Sequence, residues 1–557
     1  MDDNSKKMVL AFALSFVILV VWYRFFLPPP PTPPPQKAAP AGQAPATTAK
    51  PVPSAPAPAS VKLRVEQGSK AQEIVVEGEV SRVTLSTEGG VVRSWVLKRY
   101  SDDKGKPLDV VNRAACDTLG FPLGLSLADA ELTKKLNTAL YVATPAGASL
   151  TAPAKVDFTF SDGKIQVRKR LSFGPDYEVH AEVSVFDGQR YLPAEIVWSG
   201  GFGDHSVPPK VKISRDQIMY GTSEKLENVA QQKLDADRTI SGPLQMAGLV
   251  DRYFASVFLP DSPDQVSFRM GRRAWDPPDW KEKEKPREAF AALASQQQTP
   301  LGFRLFVGPK DLDVLRAMKP PLDRLVDYGW FSIVAKPLFM GLRYLHDRWT
   351  HNYGWAIVLL TVFINLAMFP LKLKSIRSGQ EMQRISPLVK GIQEKYKGYK
   401  FNDPRKQRMN QEIMKLYQEH HINPLGGCLP MALQLPFLYG FYRVLDLSIE
   451  LRHAPWFAWI KDLSAPDHLY ILPTLMIITT FIMQKMTPMA TADPAQQRMM
   501  MVMPIVFGIM FYNFASGLVL YWLTGTVMGI AQQAFINKMM PLPPPNPVSR
   551  KAAGARE

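Results

Sequence analysis

Polar side chains stand inside stretches that are otherwise apolar, and their spacing decides what they could do. Thr361 and Asn365 are four residues apart in YGWAIVLLTVFINLAMFPL, Tyr353 to Leu371, so one helix face presents both. Gln434 lies between Pro430 and Pro436 in another apolar run. Tyr521, Gly525, Met528 and Gln532 recur at helical spacing in GLVLYWLTGTVMGIAQQAFI. The polar groups among them donate and accept hydrogen bonds, and none forms an Asp/Glu relay, a paired ion site or a metal-ligand set. At membrane depth such groups face a bundle interior or a water-filled cavity, so the chemistry they suit is solvation of polar groups. The plainer reading is hydrogen bonding between helices, at about 0.6 kcal/mol per contact.

Between the first of these runs and the next apolar run, NPLGGCLPMALQLPFLYGFYRVL, the chain is basic. Lys372, Lys374, Arg377, Arg384, Lys390, Lys395, Lys397, Lys400, Arg405, Lys406, Arg408 and Lys415 face only Glu381, Glu394, Asp403, Glu412 and Glu419. Helices are expected around Ile376 to Tyr396 and Pro404 to Glu419, joined by a polar link from Lys397 to Asp403. Lys/Arg excess on a short loop assigns that loop to the cytoplasm. The first span therefore enters from outside and the next returns.

The elements that must position these residues follow from composition. With 557 residues, 46% of them hydrophobic, there is room for a membrane region and a separate globular one. The net charge of +16 could suggest nucleic acid, but much of the excess lies in loops beside apolar spans. Two cysteines, Cys116 and Cys428, exclude a disulfide framework, and adjacent His420 and His421 lack further ligands, so no metal and no cofactor are expected. Residues 1–27 read as an uncleaved anchor, with a cleaved signal peptide as the alternative. Residues 28–60 are a Pro/Ala-rich linker that should stand the next domain off from the bilayer.

Residues 61–318 alternate apolar and polar positions between turn signals at Gly89-Gly90, Asp162-Gly163 and Asp187-Gly188, which predicts a large antiparallel sandwich. Residues 319–350 read as an amphipathic helix broken at Pro337 and lying in the outer interface. Residues 351–540 hold five spans with the basic hairpin at 372–425, and 541–557 form a basic cytoplasmic tail. Trp456 and Trp459 in HAPWFAWIKDL mark an interfacial outer loop. Arg443, with Asp446 three residues on, reads as an interfacial ion pair. The count is six spans with both termini inside.

Five motifs in order carry a family resemblance: NPLGGCLP (Asn423 to Pro430), ELRHAPWFAWIKDLS (Glu450 to Ser464), ILPTLMIITTFIMQKM (Ile471 to Met486), DPAQQRMM (Asp493 to Met500) and SGLVLYW (Ser516 to Trp522). From Tyr353 to Met540 the chain resembles the YidC/Oxa/Alb family of membrane insertases, in its Gram-negative form. The resemblance implies a polytopic α-helical membrane protein of six transmembrane helices, five of them forming the insertase core. It also implies a large periplasmic antiparallel β-sandwich, the supersandwich of sugar-binding domains. The expected function is to insert, fold and assemble inner-membrane proteins, alone or with the Sec translocon, through a groove open to cytoplasm and lipid.

The groove would be lined by Thr361, Asn365, Met431, Gln434, Tyr521, Trp522, Gly525, Met528 and Gln532. The hairpin cations Lys390, Lys395, Lys397, Lys400, Arg405, Lys406, Arg408 and Lys415 would meet substrate and the ribosome. Expected partners are nascent inner-membrane proteins, the Sec translocon, the ribosome with its signal-recognition machinery, and the bilayer. One position departs from the family: by its spacing from Asn352 and Pro370, Asn365 stands where the family usually has an arginine. Two other classes stay open, a small-solute transporter and a membrane-anchored periplasmic carbohydrate-active protein. Neither explains the long basic hairpin, and no internal repeat supports a transporter.

Overall fold

The computed structural model describes residues 62–206, 217–222, 225–277, 280, 285–396, 398–399, 403–420, 429–486 and 494–539. The expected anchor, linker, basic tail and Cys428 lie outside these residues.

From Glu73 to Pro309 the chain forms β-strands in one nine-stranded and two five-stranded sheets. Alternation explains them: in Gln166–Phe173, Val167, Leu171 and Phe173 are buried while Arg168 and Arg170 are exposed. Lys169 falls on the buried face, where its Nζ donates to the carbonyls of Gly89, Gly90 and Leu123 at 2.8, 3.0 and 2.8 Å. Among the described residues strand pairing is antiparallel except where Glu73–Glu77 runs parallel to Ser149–Thr151. Met246–Val250 of the large sheet packs on Arg287–Ser295 of a smaller one, which gives the expected sandwich.

Gly89 and Gly90, at φ +75° and +57°, close the hairpin between Ser81–Ser86 and Val91–Ser101. Gly163 closes the one between Ala154–Ser161 and Gln166–Phe173. Asp187-Gly188 closes a tight antiparallel turn with one bridge, Phe186 to Tyr191, but it joins no two strands of one sheet. The strand before it, Glu178–Phe186, belongs to the large sheet, and the one after it, Glu195–Trp198, to a small one. Two helices in this region, α1 (Arg113–Leu119, with Cys116 buried) and α2 (Ala130–Thr138), interrupt the strand pattern.

A short helix α3 (Leu312–Ala317), capped by Asp311, leaves the sheets. Next comes α4 (Ser332–Leu345), continued by a π turn at His346–Thr350. The expected break at Pro337 does not occur. Proline inside a helix costs about 3 kcal/mol. Burial of Leu338, Phe339 and Leu342, at about 1.5–3 kcal/mol each, outweighs that. The opposite face exposes Ile333, Met340 and Tyr344.

The remaining helices are α5 (Tyr353–Ala367), α6 (Phe369–Lys395), α7 (Pro404–Glu419), α8 (Leu429–Leu447), α9 (Ile471–Met486), α10 (Pro494–Phe511) and α11 (Ser516–Met539). Asn352 caps α5 through the Trp355 N–H, and Pro370, which has no N–H to donate, sits where the chain turns from α5 into α6. Met382, Ile385 and Val389 of α6 pack on Ile413, Leu416 and Tyr417 of α7. Asp467 precedes α9 and accepts the N–H groups of Leu469 and Leu472. The tryptophans of the loop before α9 pack against neighbouring residues. Trp459 donates to Asp467 at 3.1 Å, and Trp456 covers Gly354, where a Cβ would lie 2.2 Å from its ring. Among the described residues only α11 is both long and apolar enough to cross a bilayer by itself; α5, α9 and Met501–Phe511 are shorter apolar helices.

The β region is not stood off from the helices. One buried apolar cluster runs from the sheets through Leu325, Tyr328 and Leu338 into α5, α8 and α11. Ion pairs fasten it. Arg452 meets Asp204 at 2.5 Å with both side chains nearly inaccessible (6% and 8% exposed), and Arg252 meets Asp446 at 3.0 Å. The expected Arg443–Asp446 pair is present but long, at 3.8 Å, because Arg443 donates instead to the Asp327 carbonyl at 2.6 Å.

Candidate functional site

The polar residues of α5, α8 and α11 converge on Gly525. A Cβ built there would lie 3.8 Å from the amide nitrogens of Asn365 and Gln434 and 3.9 Å from the Thr361 methyl. Glycine leaves that space open, at ordinary contact distance from side chains of two helices, α5 and α8. The packing that creates it is clear from α11, which sits on α5 and α9 along its length and touches α8 more lightly.

Asn365, 6% exposed, is the hub. Its Nδ2 donates to the Thr361 carbonyl at 2.8 Å, and its Oδ1 accepts from Lys372 Nζ at 2.6 Å. Gln532, 8% exposed, donates from Nε2 to the Asn365 carbonyl at 3.1 Å, and its Oε1 lies 3.4 Å from Lys372 Nζ. Tyr521 is hydrogen-bonded to Gln434 and stacks on Phe441 of α8, with ring centroids 4.3 Å apart. Thr361 contributes differently from its expected role. Its hydroxyl donates to the Ile357 carbonyl of its own helix at 2.6 Å, so the cluster meets its methyl group.

Not every expected residue joins. Trp522, one position on from Tyr521, turns toward Phe511 of α10 at 5.4 Å. Met528 is half-buried on α11, and Met431 lies in α8. Of the hairpin cations, Lys390, Lys395, Arg405, Arg408 and Lys415 are exposed, and Lys406 lies in α7, whereas Lys397 and Lys400 fall outside the described residues. Arg405 is engaged locally, 3.1 Å from Asp403 and 3.9 Å from the Tyr399 ring centroid. Lys372, counted in the sequence with the hairpin cations, reaches the cluster instead. Its signal was the seven-residue step from Asn365, two helical turns on one face.

This arrangement can solvate and orient a polar group. It offers amide donors and acceptors, a phenol and an ammonium, and no nucleophile beside a base.

The family model described as "60Kd inner membrane protein" matches residues 344–543, and the one described as "YidC periplasmic domain" matches residues 73–340. The membrane protein insertase YidC of Geotalea daltonii is 34% identical over 561 residues, covering 96% of this chain and 100% of that one. The membrane protein insertase YidC of Geobacter sulfurreducens is 36% identical over 470 residues, covering 82% of this chain and 84% of that one. A crystal structure of an active YidC insertase with its first transmembrane domain resolved is 18% identical and covers 85% of this chain and 94% of that one. Its TM-score is 0.35, too loose an overlay to bear on the arrangement described above. The polar cluster falls inside the first matched region and the β layers inside the second, and near-full-length relatives share a third of their residues with the whole: the chain belongs to the YidC family of inner membrane proteins.

Proposed function

We propose that this chain inserts proteins into the inner membrane and is an insertase rather than an enzyme. The observation that carries the reading is the buried cluster around Asn365, which solvates polar groups within apolar helices and holds no covalent machinery. Its substrates are nascent membrane proteins, its medium is the bilayer, and its β region is periplasmic.

An incoming apolar segment slides along the helices while its short polar flank exchanges water for the amides of Asn365, Gln434 and Gln532. Carrying a polar group unpaired through hydrocarbon costs several kcal/mol, so each hydrogen bond supplied on the way lowers the barrier. α8 packs on α4 and α10 packs on α9, and the side between α8 and α10 is the lipid-facing entrance in this reading. Met431, Trp522 and Met528 would line its apolar wall.

Six spans, one at residues 1–27 and the others at α5, α8, α9, α10 and α11, would place both termini and the hairpin at 372–425 in the cytoplasm, by the Lys/Arg rule. The exposed face of α4 (Ile333, Met340, Tyr344) suits a helix lying in the outer interface. Lys390, Lys395, Lys397, Lys400, Arg405, Lys406, Arg408 and Lys415 would receive substrate and the acidic RNA of the ribosome with its signal-recognition machinery, and the Sec translocon would share larger clients. Reconstitution of the full chain with a single-span client, scored by protease protection, tests the reading. Protection no greater than in empty liposomes would refute it.

A further inference from the structure

The loop between α8 and α9 is fastened to the β region by one pair of fixed charge and one that a proton can change. Arg452 meets Asp204 at 2.5 Å and keeps its charge at any ordinary pH. Its neighbour His453 takes a left-handed φ of +56°. The His453 Nε2 lies 3.4 Å from Asp103 Oδ1, in the turn that joins Val91–Ser101 to Pro107–Asp109. Asp462 Oδ2, on the loop itself, lies 4.0 Å from the same nitrogen. One imidazole thus stands between two carboxylates, one from each part of the fold.

The turn and the loop are both tied into the joint. The Asp103 N–H donates to Ser206 Oγ at 3.2 Å, and the Ser206 hydroxyl donates to Asp204 Oδ1 at 2.6 Å. On the other side the loop reaches α5. Asn352, the cap of that helix, donates from Nδ2 to the carbonyls of Pro455 and Trp456 at 3.0 and 3.2 Å. The neighbouring charged groups are directed elsewhere. Asp102 accepts the N–H groups of Lys104 and Lys106, His205 bonds the Val110 carbonyl at 3.1 Å, and Lys104, Lys106 and Lys461 are exposed.

We propose that His453 is a proton-operated clasp: acid in the periplasm charges it and draws the β-region turn at Asp103 onto the loop that holds the α5 cap. The β region is the part matched as a periplasmic domain, so the clasp faces that side of the membrane. Histidine is the side chain whose ordinary charge change falls between pH 5 and 8. Protonated, the ring is attracted by both carboxylates; neutral, it keeps a single N–H and no charge. Closing is therefore favoured below that range, and the gain is lost as pH rises through it. The Arg452–Asp204 pair persists in both states, so the joint stays fastened and only the turn is freed. The clasp does not depend on the insertase reading.

Hydrogen exchange of the full chain in liposomes of neutral phosphatidylcholine tests it, read at about pH 5.5 and about pH 8 and corrected for intrinsic rates. Glu450 lies in the same loop, and burial pushes its carboxyl up to about 7, inside the same window. Every chain compared therefore also carries Glu450→Gln. Segments 101–106 and 452–464 are expected to open about threefold less often at the acid pH, the worth of one exposed ion pair. His453→Asn, which accepts a left-handed backbone but cannot be charged, should abolish the difference. Asp103→Asn should remove most of it. His453→Lys, charged at both pH values, should keep both segments closed at each.

Folding is checked by exchange in α5 and α11, which should match in all variants. A difference that survives His453→Asn or Asp103→Asn overturns the proposal, as does its absence from the chain that retains both residues. A His453→Lys chain that opens as readily as the His453→Asn chain also overturns it, because shape rather than charge would then hold the turn.

Discussion

Thr361 and Asn365 share a helix face but not a role, and substitution separates them. Thr361→Val keeps the methyl that meets Gly525 and removes a hydroxyl bonded only to the Ile357 carbonyl of its own helix. Asn365→Leu removes both the nearer acceptor of Lys372 and the donor to the Thr361 carbonyl, leaving the ammonium only its longer contact with Gln532. We expect the first to lower client insertion far less than the second, measured by protease protection at matched membrane levels. Asn365→Arg alone should also be harmful, because it sets a second cation against Lys372. Glu450, in the loop between α8 and α9, gives a pH signature. Burial, reinforced by Asp311, pushes its carboxyl up to about 7 from 4.5. Between those values the folded state holds a proton that the unfolded state has released, so this group makes stability fall as pH rises from about 4.5 to about 7. Glu450→Gln should therefore stabilise the chain relative to wild type at pH 8, by up to about 3 kcal/mol, with the gain vanishing near pH 4.5. Melting curves at the two pH values check both sign and window.

At the scale of elements, local chemistry was legible and partnership was not. Asp403 and Pro404 mark the start of α7, and Gly89-Gly90 marks a hairpin, because capping and φ > 0 are decided within a few residues. The Asp187-Gly188 turn was equally plain, but the sheet its second strand joins depends on Trp198 pairing with Ala291, far along the chain. Lys372 was read by the charge rule for loops, which assigns a side of the membrane and says nothing about which face of a helix a lysine occupies. The Arg452–Asp204 pair spans 248 residues and has no signature in either segment. That pair makes its own prediction. Asp204→Ala leaves Arg452 buried without its carboxylate, which costs about 3–5 kcal/mol in comparable pairs. Arg452 also lies over the rings of Tyr253 and Phe254, so Arg452→Met with Asp204→Leu should recover most of the loss by filling the same space. Denaturant midpoints of the single and double variants, read by circular dichroism, distinguish these outcomes.

For the whole molecule, the continuity of the core from the sheets into the helices decides how much of the β region can be removed. A deletion of residues 62–251 looks conservative, because it spares four strands, Phe254–Pro260, Val266–Ala274, Arg287–Ser295 and Leu301–Pro309. It strips Met246–Val250 from Phe254–Pro260, Glu178–Phe186 from Leu301–Pro309, Glu195–Trp198 from Arg287–Ser295 and Arg238–Ser241 from Val266–Ala274, leaving four edges unpaired. Phe258, Phe303 and Phe306, all fully buried in the intact chain, would lose much of their packing. Exposed edges and aromatic surface favour aggregation and proteolysis. Extending the deletion to residues 62–310 removes those strands as well and begins the remaining fold at the Asp311 cap of α3. Arg452 then returns to water instead of staying buried without Asp204, so the penalty argued for Asp204→Ala does not arise. The larger deletion is therefore expected to be the better tolerated, with client insertion nearer to wild type and fewer proteolytic fragments, when both are compared at equal membrane levels. Should the 62–251 deletion insert clients as well as wild type and resist protease, the four spared strands would form a stable remnant by themselves. The β layers would then be divisible, and the joint at Arg452 would carry no coupling to the polar cluster around Asn365.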